Sequence, residues 1–231
     1  NTVNILGTNV TSNTTIPSTS AFYCYAATAS RNVKNNIFVN VRSNASASGG
    51  PKNYAVYFPS SGVAGTCDYN IYQASGLGAV FGAIAGGDKA SFTLWKAYST
   101  SLDPNSLEAL PTFTSTTDLH LNPAANCSLD NKGTYIAAVT TDIDGASRSN
   151  STPDIGADEF TFSGANVTWT GGTSNVVTNT ANWAGGILPS TCSNVIIQSG
   201  SANYPSYTTL TIDPGTTYTL QSGAPLTISG T

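Results

Sequence analysis

The sequence predicts an all-β protein built from short strands that stack in parallel, and three observations support this. Only 9% of the residues are charged, and Thr, Ser, Asn and Gly, which favour strands and turns over helix interiors, take their place. No stretch longer than about ten residues shows helical periodicity. Strand-like segments recur roughly every 15–25 residues, as in stacked repeats, and the loops between them exceed the roughly 2–5 residues of hairpin connections.

Length, composition and charge narrow the class of protein. The chain has 231 residues, of which 39% are hydrophobic and 10% aromatic, enough for a core in one or two domains. The net charge is −4 and the eight Lys and Arg are scattered singly, so nucleic acid is not an expected partner. The apolar run at residues 76–87 is too short to span a membrane and too rich in glycine to be a good helix. With no signal peptide, the chain is expected to be a mature fragment of a longer protein.

The first predicted module, residues 1–160, contains strands divided by polar turns. Its clearest strand is residues 32–44, where Val33, Ile37, Val39 and Val41 can point to one side. No Asn-Gly or Asp-Gly turn separates alternating runs, which favours parallel coils over a meander of hairpins. Further strands are predicted at residues 53–59, 67–73, 90–97 and 117–123.

The second predicted module, residues 161–231, is the beginning of another β-rich repeat. Trp169 and Trp183 stand in a background of Gly, Thr and Asn and are interpreted as its core. Residues 208–230 contain three strand-then-glycine units with a period of about eight residues, too short to bury a face without stacking. The last unit stops without a cap, so the chain is expected to continue.

Four cysteines and a single histidine limit the possible chemistry. The cysteines form no CxxC pair, and the chain has one histidine. Both facts argue against a Cys/His zinc site and against a Cys–His nucleophile. Disulfides are possible in three full pairings, and free buried thiols are the alternative. The cysteines are Cys24, Cys67, Cys127 and Cys192.

Six segments, taken in order, resemble the C-terminal end of right-handed parallel β-helix domains, the pectin-lyase-like repeats of large secreted Bacteroidota proteins. They are NNIFVN, CDYNIYQ, the Trp95 segment, DPNSLEALPTF, DLHLNP and DIDGASRSNSTPDIGADEF. The similarity covers roughly residues 32–160. The WTGG…ANWAGG…P stretch after it resembles modules of the same surface proteins, such as gliding-motility adhesins exported by type IX secretion. The resemblance implies that most catalytic coils of related enzymes are missing here.

The charged stretch at residues 142–160 has two main interpretations. Asp-x-Asp-Gly can offer oxygens to Ca²⁺, which makes Asp142 and Asp144 candidate metal ligands, although further ligands at EF-hand spacing are absent. Asp also favours turns, and the resemblance places this stretch where the β-helix closes. We therefore predict a structural cap in which Arg148 pairs with Asp142, Asp144 or Asp154, with no required cofactor and Ca²⁺ as the alternative.

No catalytic residue is predicted. A glycosidase needs two carboxylates flanking a sugar, and the acidic residues form no recurrent pair, so they are interpreted as solvated surface charge. Those candidates are Asp68, Asp88, Asp103, Glu108 and Asp118.

Aromatic and amide side chains offer two further hypotheses. Outward-facing rings would form a stacking surface for glycans, and core packing is the alternative; the candidates are Tyr54, Tyr57, Tyr69, Tyr72 and Trp95. Asn36 and Asn40 are predicted to belong to stacked amide ladders.

The predicted function is a non-catalytic structural and adhesive segment of a large secreted or cell-surface adhesin, which presents binding surfaces away from the cell. Its expected partners are a polysaccharide or surface glycan and further modules of the same chain, without membrane insertion. The alternatives are a carbohydrate-active β-helix enzyme with catalytic coils upstream, and a carbohydrate-binding module.

Overall fold

The protein is all-β, as predicted. The computed structural model describes residues 1–9, 18–25, 31–45, 51–60, 65–98, 101–162, 164–212 and 215–228. Within them the chain forms two compact units, one of residues 1–120 and 131–159 and the other of residues 121–130 and 160–231.

Seventeen strands, one short α-helix, α1 (Phe92–Lys96), and two 3₁₀ helices (Thr180–Asn182 and Ala184–Gly186) are described in these residues. The strands are β1 (Thr2–Ile5), β2 (Thr8–Asn9), β3 (Thr19–Tyr23), β4 (Arg31–Lys34), β5 (Ile37–Asn40), β6 (Ser43–Asn44), β7 (Asn53–Phe58), β8 (Gly65–Asp68), β9 (Ile71–Ala74), β10 (Ala79–Ile84), β11 (Gly87–Lys89), β12 (Leu107–Glu108), β13 (Asn166–Trp169), β14 (Asn194–Ile197), β15 (Ser206–Tyr207), β16 (Tyr218–Leu220) and β17 (Thr227–Ile228).

Parallel pairing dominates the first unit. One sheet has the order β1-β5-β9-β12 and another the order β11-β10-β7-β3, with β2-β6 and β4-β8 as two-stranded sheets. Ile37 lies between Thr2 and Ile71, and Ile71 pairs in turn with Leu107. Among the named strands of this unit, β10 and β11 form the antiparallel exception, joined by a tight turn at Ala85 and Gly86.

Left-handed residues break two predicted strands into shorter ones. Asn35 and Tyr69 both have φ 54°, a conformation that turns the chain sharply and that asparagine tolerates better than most residues. Asn35 therefore separates β4 from β5, and Tyr69 separates β8 from β9. The predicted strand at residues 32–44 also contains β6, which begins at Ser43.

Two other strand predictions are corrected. Residues 92–96 are helical, because the Ser91 hydroxyl caps the helix by accepting from the backbone N–H of Leu94. Residues 117–123 form no named strand. β10 lies in the glycine-rich run at residues 76–87, where no strand was predicted, and Gly82 in this strand leaves room for Val56 and Trp95.

The aromatic core of the first unit covers one side of β5. Phe38 packs in this core beside Tyr72 and Trp95, together with Val33, so the prediction that Val33 and Ile37 share a side is wrong. Ile37 points to the opposite face of its strand and is nevertheless 0% exposed. Gly156 lies against it, since a Cβ there would come within 2.7 Å of the Ile37 side chain.

The second unit has its own core. Strands β13, β14 and β16 form a parallel sheet, and Trp169 and Trp183 meet edge to face at 5.0 Å between ring centroids. Both rings are buried, which confirms the core prediction.

The three units predicted at residues 208–230 do not stack on one another in a single sheet. Two of its units contain strands, β16 and β17, but these belong to different sheets, and residues 208–212 form no strand. Residues 213–214 and 229–231 lie outside the described part of the chain.

The cysteines follow none of the three full pairings. Cys127 and Cys192 form a disulfide within the second unit, while Cys24 and Cys67 are free and buried. Burial raises the pKa of the Cys67 thiol, which makes it a poor nucleophile.

No helix in the described residues is long and apolar enough to cross a membrane.

Candidate functional site

A ladder of amide side chains lines one turn of the first unit, as predicted for Asn36. Asn1 donates to the Asn36 side chain at 3.1 Å, and Asn36 donates to Asn70 at 2.9 Å. The backbone N–H of Asn70 donates in turn to the Ser106 hydroxyl at 2.8 Å. These bonds satisfy polar groups at a buried corner. Asn40 is buried as well, but it donates to Thr19 and to the Tyr54 carbonyl rather than to another amide.

Asp103 forms a buried polar centre, which corrects its interpretation as solvated charge. It is 0% exposed, and Asp68 is buried too. Asp103 accepts hydrogen bonds from Trp95 Nε1 at 2.8 Å and from the Tyr72 hydroxyl at 3.1 Å. Ser106 donates to it at 2.5 Å. Burial raises the pKa of Asp103, although these donors favour its charged form. The enclosure of this carboxylate suits structural support rather than contact with a substrate.

Asp142 organises the stretch at residues 142–160 through its own oxygens. Its Oδ1 accepts from the backbone N–H groups of Asp144 and Ala146 at 2.9 and 2.8 Å, and its Oδ2 accepts from that of Glu159 at 3.3 Å. Because the turn uses both oxygens, Asp142 fits the predicted cap better than the Ca²⁺ alternative.

Arg148 has a different carboxylate partner from the three predicted. It pairs with Glu159 at 3.4 Å and donates to the backbone carbonyls of Asp154 and Gly156. The Asp154 side chain accepts instead from the backbone N–H of Asn131 at 2.5 Å. Arg148 thus ties the middle of this stretch to its C-terminal part, mainly through backbone oxygens.

His120, which the sequence reasoning used only to exclude sites, lies among carboxylates. Its Nε2 is 2.9 Å from Oδ2 of Asp144, and its Nδ1 contacts Oδ1 of Asp118. One ligand atom from each of His120, Asp144 and Asp158 lies within 4.8 Å of the other two. We call these three residues the His120 cluster. Asp158 is buried and Asp144 exposed, and a cleft of about 370 Å³ reaches His120 and Asp158.

Local turns place the members of the His120 cluster. The Ser115 hydroxyl accepts from the backbone N–H of Asp118 at 2.9 Å, and the His120 carbonyl accepts from that of Thr114 at 2.9 Å. Asp144 follows the turn made by Asp142. A backbone bond of 2.9 Å from Ile143 to Ala157 brings Asp158 alongside. Within the loop, the sequence places Asp118 two residues before His120, but Asp144 and Asp158 follow His120 by 24 and 38 residues.

We expect the His120 imidazole to titrate with a pKa above its ordinary value of 6.5, because its hydrogen bond to Asp118 favours the charged form. The folded state then holds this proton more tightly than the unfolded state. Its contribution to stability is complete below 6.5 and is lost as pH rises through the folded pKa. NMR titration of the ring in EDTA measures this directly. Asp118→Asn should lower the value, and a pKa at or below 6.5 in the parent protein would contradict the assignment.

The predicted glycan-stacking residues differ in how far they are buried. Tyr72 and Trp95 are 0% exposed and Tyr54 is 5% exposed, so for these three residues core packing replaces sugar stacking. Tyr69 and Tyr57 are partly exposed. Tyr57 stacks on Tyr23, a residue absent from the prediction, with 5.4 Å between ring centroids.

No protein-family model, curated protein or solved structure matches this chain.

Proposed function

We propose that the first unit is the end of a right-handed parallel β-helix, and that the chain is a non-catalytic structural and adhesive segment of a secreted or cell-surface adhesin. The observation that carries the proposal is a nearly constant spacing along the stacked strands. Successive members of the corner ladder, Asn1, Asn36, Asn70 and Ser106, are 35, 34 and 36 residues apart. One circuit of about this length per added strand is the arrangement of a solenoid.

A solenoid of this kind suits a spacer. Each circuit is stabilised by its nearest neighbours, and the corner ladder and the Asp103 centre fix adjacent circuits to each other. The Cys127–Cys192 disulfide supports an extracellular location, since disulfides persist in oxidising compartments. The stretch at residues 142–160 acts as the cap in this proposal, with Asp142, Arg148 and Asp154 in the bonds described above.

The adhesive surface is assigned to the Tyr23–Tyr57 pair. Tyr23 is 55% exposed and its ring is within 9° of parallel to that of Tyr57. Tyr25 follows it and is 74% exposed. Exposed aromatic rings with polar tips suit stacking against the faces of sugars, so a polysaccharide or surface glycan is the proposed ligand.

We expect the double variant Tyr23→Ser/Tyr57→Ser to bind insoluble polysaccharide about tenfold more weakly, because two stacking rings contribute about 0.5–1.5 kcal/mol each. Retention on cellulose, chitin and xylan particles measures this, and a matched thermal melt verifies folding. Tyr135→Ser, at another exposed tyrosine, is the control. If the double variant is retained as well as Tyr135→Ser, the adhesive surface lies elsewhere.

We expect no turnover of pectin, alginate, xylan or chitin, assayed by reducing ends and unsaturated products. The enzyme alternative would be supported by turnover that disappears in Asp144→Asn, which alters an exposed carboxylate beside His120.

A further inference from the structure

We infer that the His120 cluster is a binding site for a divalent transition-metal ion of the Zn²⁺ type. The site supplies one imidazole nitrogen from His120 and carboxylate oxygens from Asp144 and Asp158, and it is independent of the adhesive surface. The three ligand atoms already lie within 4.8 Å of one another, so small side-chain rotations bring them to a common ion. A tetrahedral catalytic-type site likewise takes three protein ligands and leaves one position for water.

The donor types select the class of metal. Imidazole nitrogen suits Zn²⁺ and its neighbours, whereas Ca²⁺ prefers six to eight oxygens. The predicted Ca²⁺ pair loses Asp142 to its own turn, as described above, and only Asp144 remains available from it. The nitrogen donor and the buried Asp158 therefore replace Asp142 as the partners of Asp144.

Asp118 takes the position of an orienting residue. Metal-bound histidines usually donate their second ring N–H to a carboxylate, which fixes the tautomer and directs the free nitrogen at the metal. The contact of Nδ1 with Asp118 does this here and leaves Nε2 facing Asp144 at 2.9 Å. Asp118 is thus a positioning residue rather than a ligand.

The charge of the His120 cluster and the cleft beside it also favour a bound cation. Carboxyl groups of Asp118, Asp144 and Asp158 surround one imidazole, so negative charge exceeds positive even when the ring is protonated. A divalent cation would offset that excess. The cleft beside His120 and Asp158, about 370 Å³ in volume, provides an entry path.

An ion in this site would join two separate parts of the first unit. His120 ends the loop that begins near Thr114, whereas Asp144 and Asp158 belong to the proposed cap. Metal binding would therefore cross-link the cap to that loop and raise the melting temperature as free ion increases.

The test is a titration of Zn²⁺ into the tag-free, EDTA-stripped full chain. Isothermal calorimetry should give one ion per chain, and the NMR signals of the single imidazole should shift with the same affinity. His120→Gln should abolish the one-ion binding. Asp118→Asn should weaken it by about 10–100-fold, the range for residues that orient a metal ligand. Ca²⁺ at the same concentration should neither shift the ring signals nor displace Zn²⁺.

Asp88→Asn, which alters an exposed carboxylate paired with Lys52, should bind Zn²⁺ like the parent protein. His120 is partly exposed, so His120→Gln should retain the fold, and a melt in EDTA verifies this. The inference is overturned if Zn²⁺ fails to bind, if binding persists in His120→Gln, or if Ca²⁺ binds equally well.

Discussion

Ile37→Asp is expected to lower the free energy of unfolding by at least about 4 kcal/mol, enough to unfold a domain of ordinary stability. Ile37 is 0% exposed and lies in the middle of a sheet between Thr2 and Ile71. Gly156 contacts it from the cap side. A carboxylate at this position would be buried without an ionic partner, or it would stay protonated at a similar cost in free energy.

Ile143→Asp is the matched control, because Ile143 is 67% exposed and the same change there should cost less than about 0.5 kcal/mol. Urea denaturation followed by circular dichroism compares the two variants with the parent chain. Equal midpoints for both variants would mean that the cap does not cover Ile37 in solution.

Asp103→Ala is expected to cost about 3–5 kcal/mol, because it removes the acceptor shared by several buried donors. Trp95 Nε1 and the Tyr72 and Ser106 hydroxyls would each lose a bond of 2.5–3.1 Å. Asp103→Asn keeps one acceptor oxygen, so an intermediate loss is expected from it.

Asp88→Ala is the control for this second variant. Asp88 accepts from Lys52 and from the Tyr54 hydroxyl, but its side chain is 36% exposed, so its loss should cost no more than about 1 kcal/mol. Chemical denaturation at pH 7 compares all three proteins. A loss in Asp103→Ala no larger than that in Asp88→Ala would show that water replaces the missing carboxylate.

Sequence reasoning located the strands wherever local pattern and burial coincide. β5, β7 and β9 lie within predicted strands that are rich in Val, Ile, Tyr and Phe. It failed at residues 92–96, where a single hydroxyl cap decided in favour of a helix. It also missed β10, because glycine lowers strand propensity, whereas Gly82 is needed for the close approach of Val56 and Trp95.

For the candidate sites as well, sequence pattern predicted some features and missed those that depend on tertiary contacts. Tyr54, Tyr57 and Tyr72 do lie in strands, whereas Trp95 lies in α1 and Tyr69 lies between β8 and β9. The residue types alone carry no information about which face of a strand is covered. Tyr72 and Trp95 are buried because β10 and α1 bring Phe81 and Phe92 against Tyr72, and β7 brings Phe58 against Trp95. Tyr57 stayed partly exposed because the side of β7 that it occupies stacks on Tyr23 instead.

The sequence by itself determined the all-β class, the parallel arrangement of most strands and the amide ladder at Asn36, because these follow from residue type and from spacing along the chain. Only the tertiary structure decided which carboxylates are buried and what His120 faces. The sequence alone does not distinguish the surroundings of Asp103 and Asp158. In the structure, hydrogen-bond donors enclose Asp103, whereas Asp158 lies near an imidazole 38 residues before it. The physical reason is that burial and electrostatic partners depend on contacts between segments far apart in the chain, which local pattern does not encode.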